Sequence, residues 1–138
     1  MKIESVDFFY LKMPLIHDIG DGSQDALVVR IRSGDLTGWG ECEASPLVSI
    51  ANAVCPPSHS ACWNIVDQVL GVEIHAVDDI FTLGRCVRAR GMDIAQTAHT
   101  FSGVESGCFR AIFGETGRWI SSNACLELGL LLHRGPVA

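Results

Sequence analysis

The chain has 138 residues, the length of one domain and enough to bury a core without disulfide or metal staples. Its net charge of −6 and the absence of any basic patch argue against a nucleic-acid backbone as partner. With 48% hydrophobic and 19% charged residues it has the composition of an ordinary soluble protein, and its longest apolar run, 130–132 with neighbours from 124, falls well short of the ~20 residues of a membrane span.

Residues 2–13 are rich in β-branched and aromatic side chains (Ile3, Val6, Phe8, Phe9, Tyr10) and stop at Pro14, which predicts a first strand. Residues 15–23, "LIHDIGDGS", are punctuated by glycine and aspartate and read as a loop. Leu27, Val29 and Ile31 then alternate with Val28, Arg30 and Arg32, the pattern of a half-buried strand. Ser33, Gly34 and Asp35 make a tight turn into a third strand over 36–43, so the first three elements form an antiparallel meander. Residues 45–57 read as a second loop.

The period then changes. Cys62, Ile65, Val66, Val69 and Leu70 recur as one helix face, which predicts a helix near 59–70 with Ser58 or Ser60 as its cap and Gly71 closing it. A second helix is expected near 78–90, with Asp78 or Asp79 at its start, Ile80, Leu83 and Val87 on one face, Arg85, Arg88 and Arg90 towards its C-terminus, and Gly91 at its end. A third is expected near 102–113, where Ser102 and Glu105 have capping-box spacing and Val104, Cys108, Ala111 and Ile112 continue it. Strands followed by helices predict an α+β fold, a three-stranded antiparallel meander followed by a small helical bundle on one face of the sheet.

Several groups invite a chemical reading. Glu41 and Glu43, two apart behind Trp39, share a strand face, and a solvated acidic face is the commoner outcome for such a pair. Cys55, His59 and Cys62, with Cys42 as a fourth ligand, fit no common zinc spacing, and Cys62 falls on the apolar helix face. Near a helix start, Cys62 would be a nucleophile only with a base beside it, and none is identifiable. His99 and His133 have no motif around them, and "GETGRW" lacks the lysine and glycine spacing of a phosphate loop. The six cysteines follow no signal-peptide pattern, so they are expected to be reduced thiols in a cytoplasmic protein.

The stretches "MKIESVDFFYLKMPL", "SQDALVVRIRSGDLTGWGECEASPL" and "HTFSGVE" stand in an order and spacing that resembles the N-terminal capping domain of the mandelate racemase and muconate lactonizing branch of the enolase superfamily. The resemblance spans residues 1–105 and implies an enolase N-terminal domain-like fold over 1–113, with 114–138 as a divergent C-terminal tail. It implies that Glu41 and Glu43 are structural, because the catalytic acids of such enzymes belong to a separate barrel. Proton abstraction beside a carboxylate, with the enolate held on magnesium, is the chemistry of that barrel. A (β/α)8 barrel needs ~200 residues or more, so no catalytic residue and no cofactor is expected in this chain.

The family's cap selects substrate through two loops that close over the barrel mouth. Here they map to 15–23, where His17, Asp18 and Asp21 would bond a polar substrate, and to 45–57, where Pro46, Leu47, Val48 and Ile50 would form an apolar wall. After Glu105 the sequence departs from the family pattern: Gly107, Gly114 and Gly117 interrupt the expected helix, and Arg110 stands where an acid is expected. A truncation and a reading-frame slip each explain such a tail. The expected function is that of a truncated, substrate-capping part of an isomerase or lyase, inactive alone. The alternative is a stand-alone interaction or self-assembly module on the same fold. A homodimer is the expected assembly, through surface a barrel would cover and through Leu126, Leu128, Leu130, Leu131 and Leu132. A barrel-containing chain is a second candidate partner; nucleic acid and membrane are not.

Overall fold

The computed structural model describes residues 1–15, 25–42, 45–57, 62–91 and 94–114. Three strands, β1 (Ser5–Leu11), β2 (Ala26–Ser33) and β3 (Leu36–Cys42), form an antiparallel sheet in chain order. Four helices follow: α1 (Pro46–Val54), α2 (Ile65–Val69), α3 (Val77–Arg90) and α4 (Ile94–Phe113). This is the expected α+β architecture, helices after strands and packed on one side of the sheet. None of the helices among the described residues is long and apolar enough to cross a membrane.

The register places Asp7, Arg30 and Trp39 in one row and Phe9, Val28 and Glu41 in another. Leu27, Val29 and Ile31 point inward and are fully buried, as their alternation predicts. Gly34, at φ +56°, supplies the left-handed position of the two-residue turn between β2 and β3.

α4 lies across the inner face of the sheet, closest to β3. The approach is governed by glycines on both sides. Gly38 and Gly40 share the inward face of β3, and Gly103 and Gly107 share one face of α4, a turn apart. A Cβ on Gly38 would run into the carbonyl oxygen of Gly107, and one on Gly40 into that of Gly103. In return, a Cβ on Gly103 would stand 2.6 Å from Cys42 Sγ and 2.8 Å from Val29 Cγ2. Gly107 therefore does not interrupt the helix. It lets the helix touch the sheet, and Phe101, Val104, Cys108 and Phe109 fill the core on either side.

α4 begins eight residues before the expected start at Ser102. Ser102 is mid-helix, its hydroxyl donating to the carbonyl of His99 at 2.6 Å, and Glu105 is a buried side chain instead of a capping partner. α2 is also shorter than the 59–70 expected. Its cap is Asn64, whose side chain accepts from the backbone N–H of Asp67 at 2.8 Å. Trp63 cannot be helical because its N–H is bonded to the carbonyl of Arg90 at 2.9 Å, making a bridge with Gly91. Ser58 and Ser60 lie outside the described residues. α3 matches its expectation: Ile80, Leu83 and Val87 are buried, and the Asp79 carboxylate accepts from the N–H groups of His75 and Ala76.

Candidate functional site

The second expected loop is a helix. Pro46, Leu47, Val48 and Ile50 belong to α1, which opens with Ser45 as N-cap and Pro46 in its first turn. Its polarity is the reverse of a normal surface helix. Ser49, Asn52 and Ala53 are buried, whereas Leu47 is 63% and Val48 51% exposed, and Ala51, Val54 and Cys55 continue that outward face. Of the four residues expected to form an apolar wall, Leu47 and Val48 face outward, Pro46 is half-buried, and Ile50 packs against the core.

Hydrogen bonds explain the inversion. Asn52 Nδ2 donates to Thr97 Oγ1 at 3.2 Å, and Gln96 Nε2 donates to Ser49 Oγ at 2.9 Å. Thr100 closes the layer: its hydroxyl donates to the Gln96 carbonyl at 2.8 Å, and its own carbonyl accepts from Cys42 Sγ at 3.3 Å. α1 is thus fixed to α4 through satisfied polar groups, while Leu47, Val48 and Val54 are left on the outside.

Three chain segments meet near α1, at the end of the sheet where Leu11 pairs with Ala26 and Leu27 with Cys42. Asp25 sits at that end. Its carboxylate accepts from the Tyr10 hydroxyl and, at 2.8 Å, from the backbone N–H of Met13. The Tyr10 bond and then the Met13 bond hold the Asp25 carboxyl below its ordinary range, and the same bond to Asp25 raises Tyr10. Neither residue was singled out from sequence, because their meeting depends on strand register. His17, Asp18 and Asp21 fall between Leu15 and Asp25 and lie outside the described residues.

The remaining chemical candidates are dispersed. Glu41 is exposed on the outer face of β3, and Glu43 lies outside the described residues. Burial pushes the Cys42 thiol up to about 11 and the Cys108 thiol up to about 12, so both are poor nucleophiles and ligands. Cys62 precedes the start of α2 by three residues and is not at its N-terminus. Among the described residues no three His, Cys, Asp or Glu side chains converge as metal ligands. Burial raises the carboxyl of Glu105, and Arg88 opposes that rise.

A solved structure described as a predicted mandelate racemase from Rhodobacter sphaeroides is 46% identical and superposes with a TM-score of 0.77 over 83% of this chain. The fold is that of an enolase-superfamily N-terminal cap. A second solved structure, provisionally described as a racemase, shares the capping fold at 16% identity and a TM-score of 0.55 over 83% of this chain. This chain spans 29% of the length of the first of these chains and 28% of the second. No protein-family profile and no curated protein matches the chain.

Proposed function

We propose that this domain acts as the substrate-capping part of a mandelate-racemase-like enzyme and that the 138 residues alone turn over no substrate. The observation that carries the reading is the inverted helix α1, held by Asn52 and Ser49, which presents Leu47 and Val48 outward and touches β1 and β2, whose neighbouring ends Asp25 ties together. An outward apolar wall next to a polar clamp suits a surface that closes over a bound acid and excludes water from it. The reaction itself belongs to residues outside this domain. General-base chemistry needs a base within hydrogen-bond reach of the substrate proton. Lys2 and Lys12, the chain's two lysines, stand apart, one before β1 and one directly after it, and the charge of Lys12 acts on the Asp25 carboxylate.

The test is α-proton exchange into deuterated water, with and without magnesium, for a panel of sugar acids and mandelate-like acids. The chain alone is expected to give the no-protein rate. Exchange above that rate, or micromolar magnesium binding by calorimetry, would show catalytic groups in the chain itself. Cytoplasmic location belongs to the same proposal. The alternative is a self-assembly module, for which the exposed Phe9 and Trp39 of the sheet are the supporting observation.

A further inference from the structure

α1 has two unlike faces, about half a turn of helix apart. Leu47, Val48 and Val54 lie outward and are 63%, 51% and 52% exposed, while Ser49, Asn52 and Ala53 lie inward and are buried. Burial of apolar surface alone favours the opposite orientation, with the leucine and valines turned in and the serine and asparagine turned out. The groups that oppose it are on α4. Thr97 is fully buried, its hydroxyl 3.2 Å from Asn52 Nδ2 and 3.4 Å from Asn52 Oδ1, and it fills the room that Gly91 leaves at the end of α3. Gln96 Nε2 reaches Ser49 Oγ at 2.9 Å and Thr100 Oγ1 at 3.3 Å. Turning α1 round would set Leu47 and Val48 against these polar atoms, and a buried donor or acceptor left without a partner costs more than its hydrogen bond contributes.

We infer that Gln96 and Thr97 are positioning residues for the capping surface: they select which face of α1 points outward, and Leu47 and Val48 stand there because of them. Their effect on a substrate rests on the proposed capping role; the orientation itself does not. Buried polar groups of this kind fix the register of one element on another more than they add to stability. The selection is made by complementarity, since Asn52 and Ser49 are the side chains of α1 that can satisfy Thr97 and Gln96, whereas Leu47, Val48 and Val54 offer no polar atom.

The test is maleimide labelling of the full chain carrying Leu47→Cys, resolved by peptide mass spectrometry. Exposed Cys86 is the reference for reactivity, and fully buried Cys108 reports folding. With Gln96 and Thr97 in place, the introduced thiol is expected to label about as fast as Cys86. Gln96→Leu with Thr97→Val is expected to slow it at least ~10-fold while Cys108 stays unlabelled. Adding Ser49→Leu with Asn52→Leu makes the inward face apolar as well, and labelling is expected to return. In the solved relative from Rhodobacter sphaeroides, with this domain in place of the region it superposes on and Leu47 intact, Gln96→Leu with Thr97→Val is expected to raise KM for α-proton exchange at least ~10-fold. Unchanged labelling in the folded double variant would overturn the inference, and so would labelling of Cys108, which would show that α1 has a single stable packing. Slowed labelling with an unchanged KM would uphold the orientation and refute the capping role instead.

Discussion

The backbone of Gly103 in α4 occupies the place where a side chain on Gly40 of β3 would have to go. This contact sets the distance between helix and sheet, and with it the position of Thr100, Thr97 and Gln96, which hold α1. Gly40→Ala is expected to destabilise the domain by about 3 kcal/mol, because the obstacle is backbone that cannot rotate away. Gly34→Ala meets no atom within 4 Å and suffers only from its left-handed φ, so about 1 kcal/mol is expected there. Urea unfolding of the two variants separates the effects.

α1 reverses the usual consequences of mutation. Asn52→Ala removes the partner of a buried Thr97 hydroxyl and is expected to cost about 2 kcal/mol. Leu47→Ser and Val48→Ser change exposed side chains and are expected to shift stability by less than about 0.5 kcal/mol. Denaturant midpoints at constant slope check the ordering.

Tyr10 is the single tyrosine of the chain, so its phenolate absorbance reports one site. Its titration is expected above the ordinary tyrosine value, and Asp25→Asn is expected to bring it down. Asp25 is lowered in the fold, so its contribution to stability is present above its unfolded pKa and disappears as pH falls through the folded one. The melting temperatures of the native chain and of Asp25→Asn should therefore differ at neutral pH and converge in acid.

Glu105 has the opposite sign. Burial raises its pKa, so stability is full when the carboxyl is protonated and declines as pH rises from the unfolded value through the folded one. Glu105→Gln keeps the shape of the protonated acid. Its thermal melts should match the native chain in acid and exceed it at neutral pH.

The sequence was most readable where packing followed polarity. Leu27, Val29 and Ile31 announced β2, and Ile80, Leu83 and Val87 announced α3, because the apolar side chains of each are the buried ones. α1 was hidden for the converse reason: it buries Ser49 and Asn52 and exposes Leu47 and Val48, so its apolar pattern points away from the core. The first two turns of α4 and the helical place of Gly107 are not legible in the sequence, because small residues at a close approach look like poor helix formers. The Tyr10 and Asp25 pair needs the register of β1 against β2 before it can be seen. The resemblance to an enolase-superfamily cap, read from "LTGWGE" and its flanks, agrees with the solved structure at 46% identity.

The capping role is tested most directly by grafting. In the solved relative from Rhodobacter sphaeroides, this domain replaces the region it superposes on, and α-proton exchange is followed over the panel of acids. The account predicts that the chimera exchanges substrate and that Leu47→Asp with Val48→Asp lowers kcat/KM at least ~10-fold while its folding is unchanged. An active chimera indifferent to those substitutions would contradict it, and so would exchange by the 138-residue chain alone.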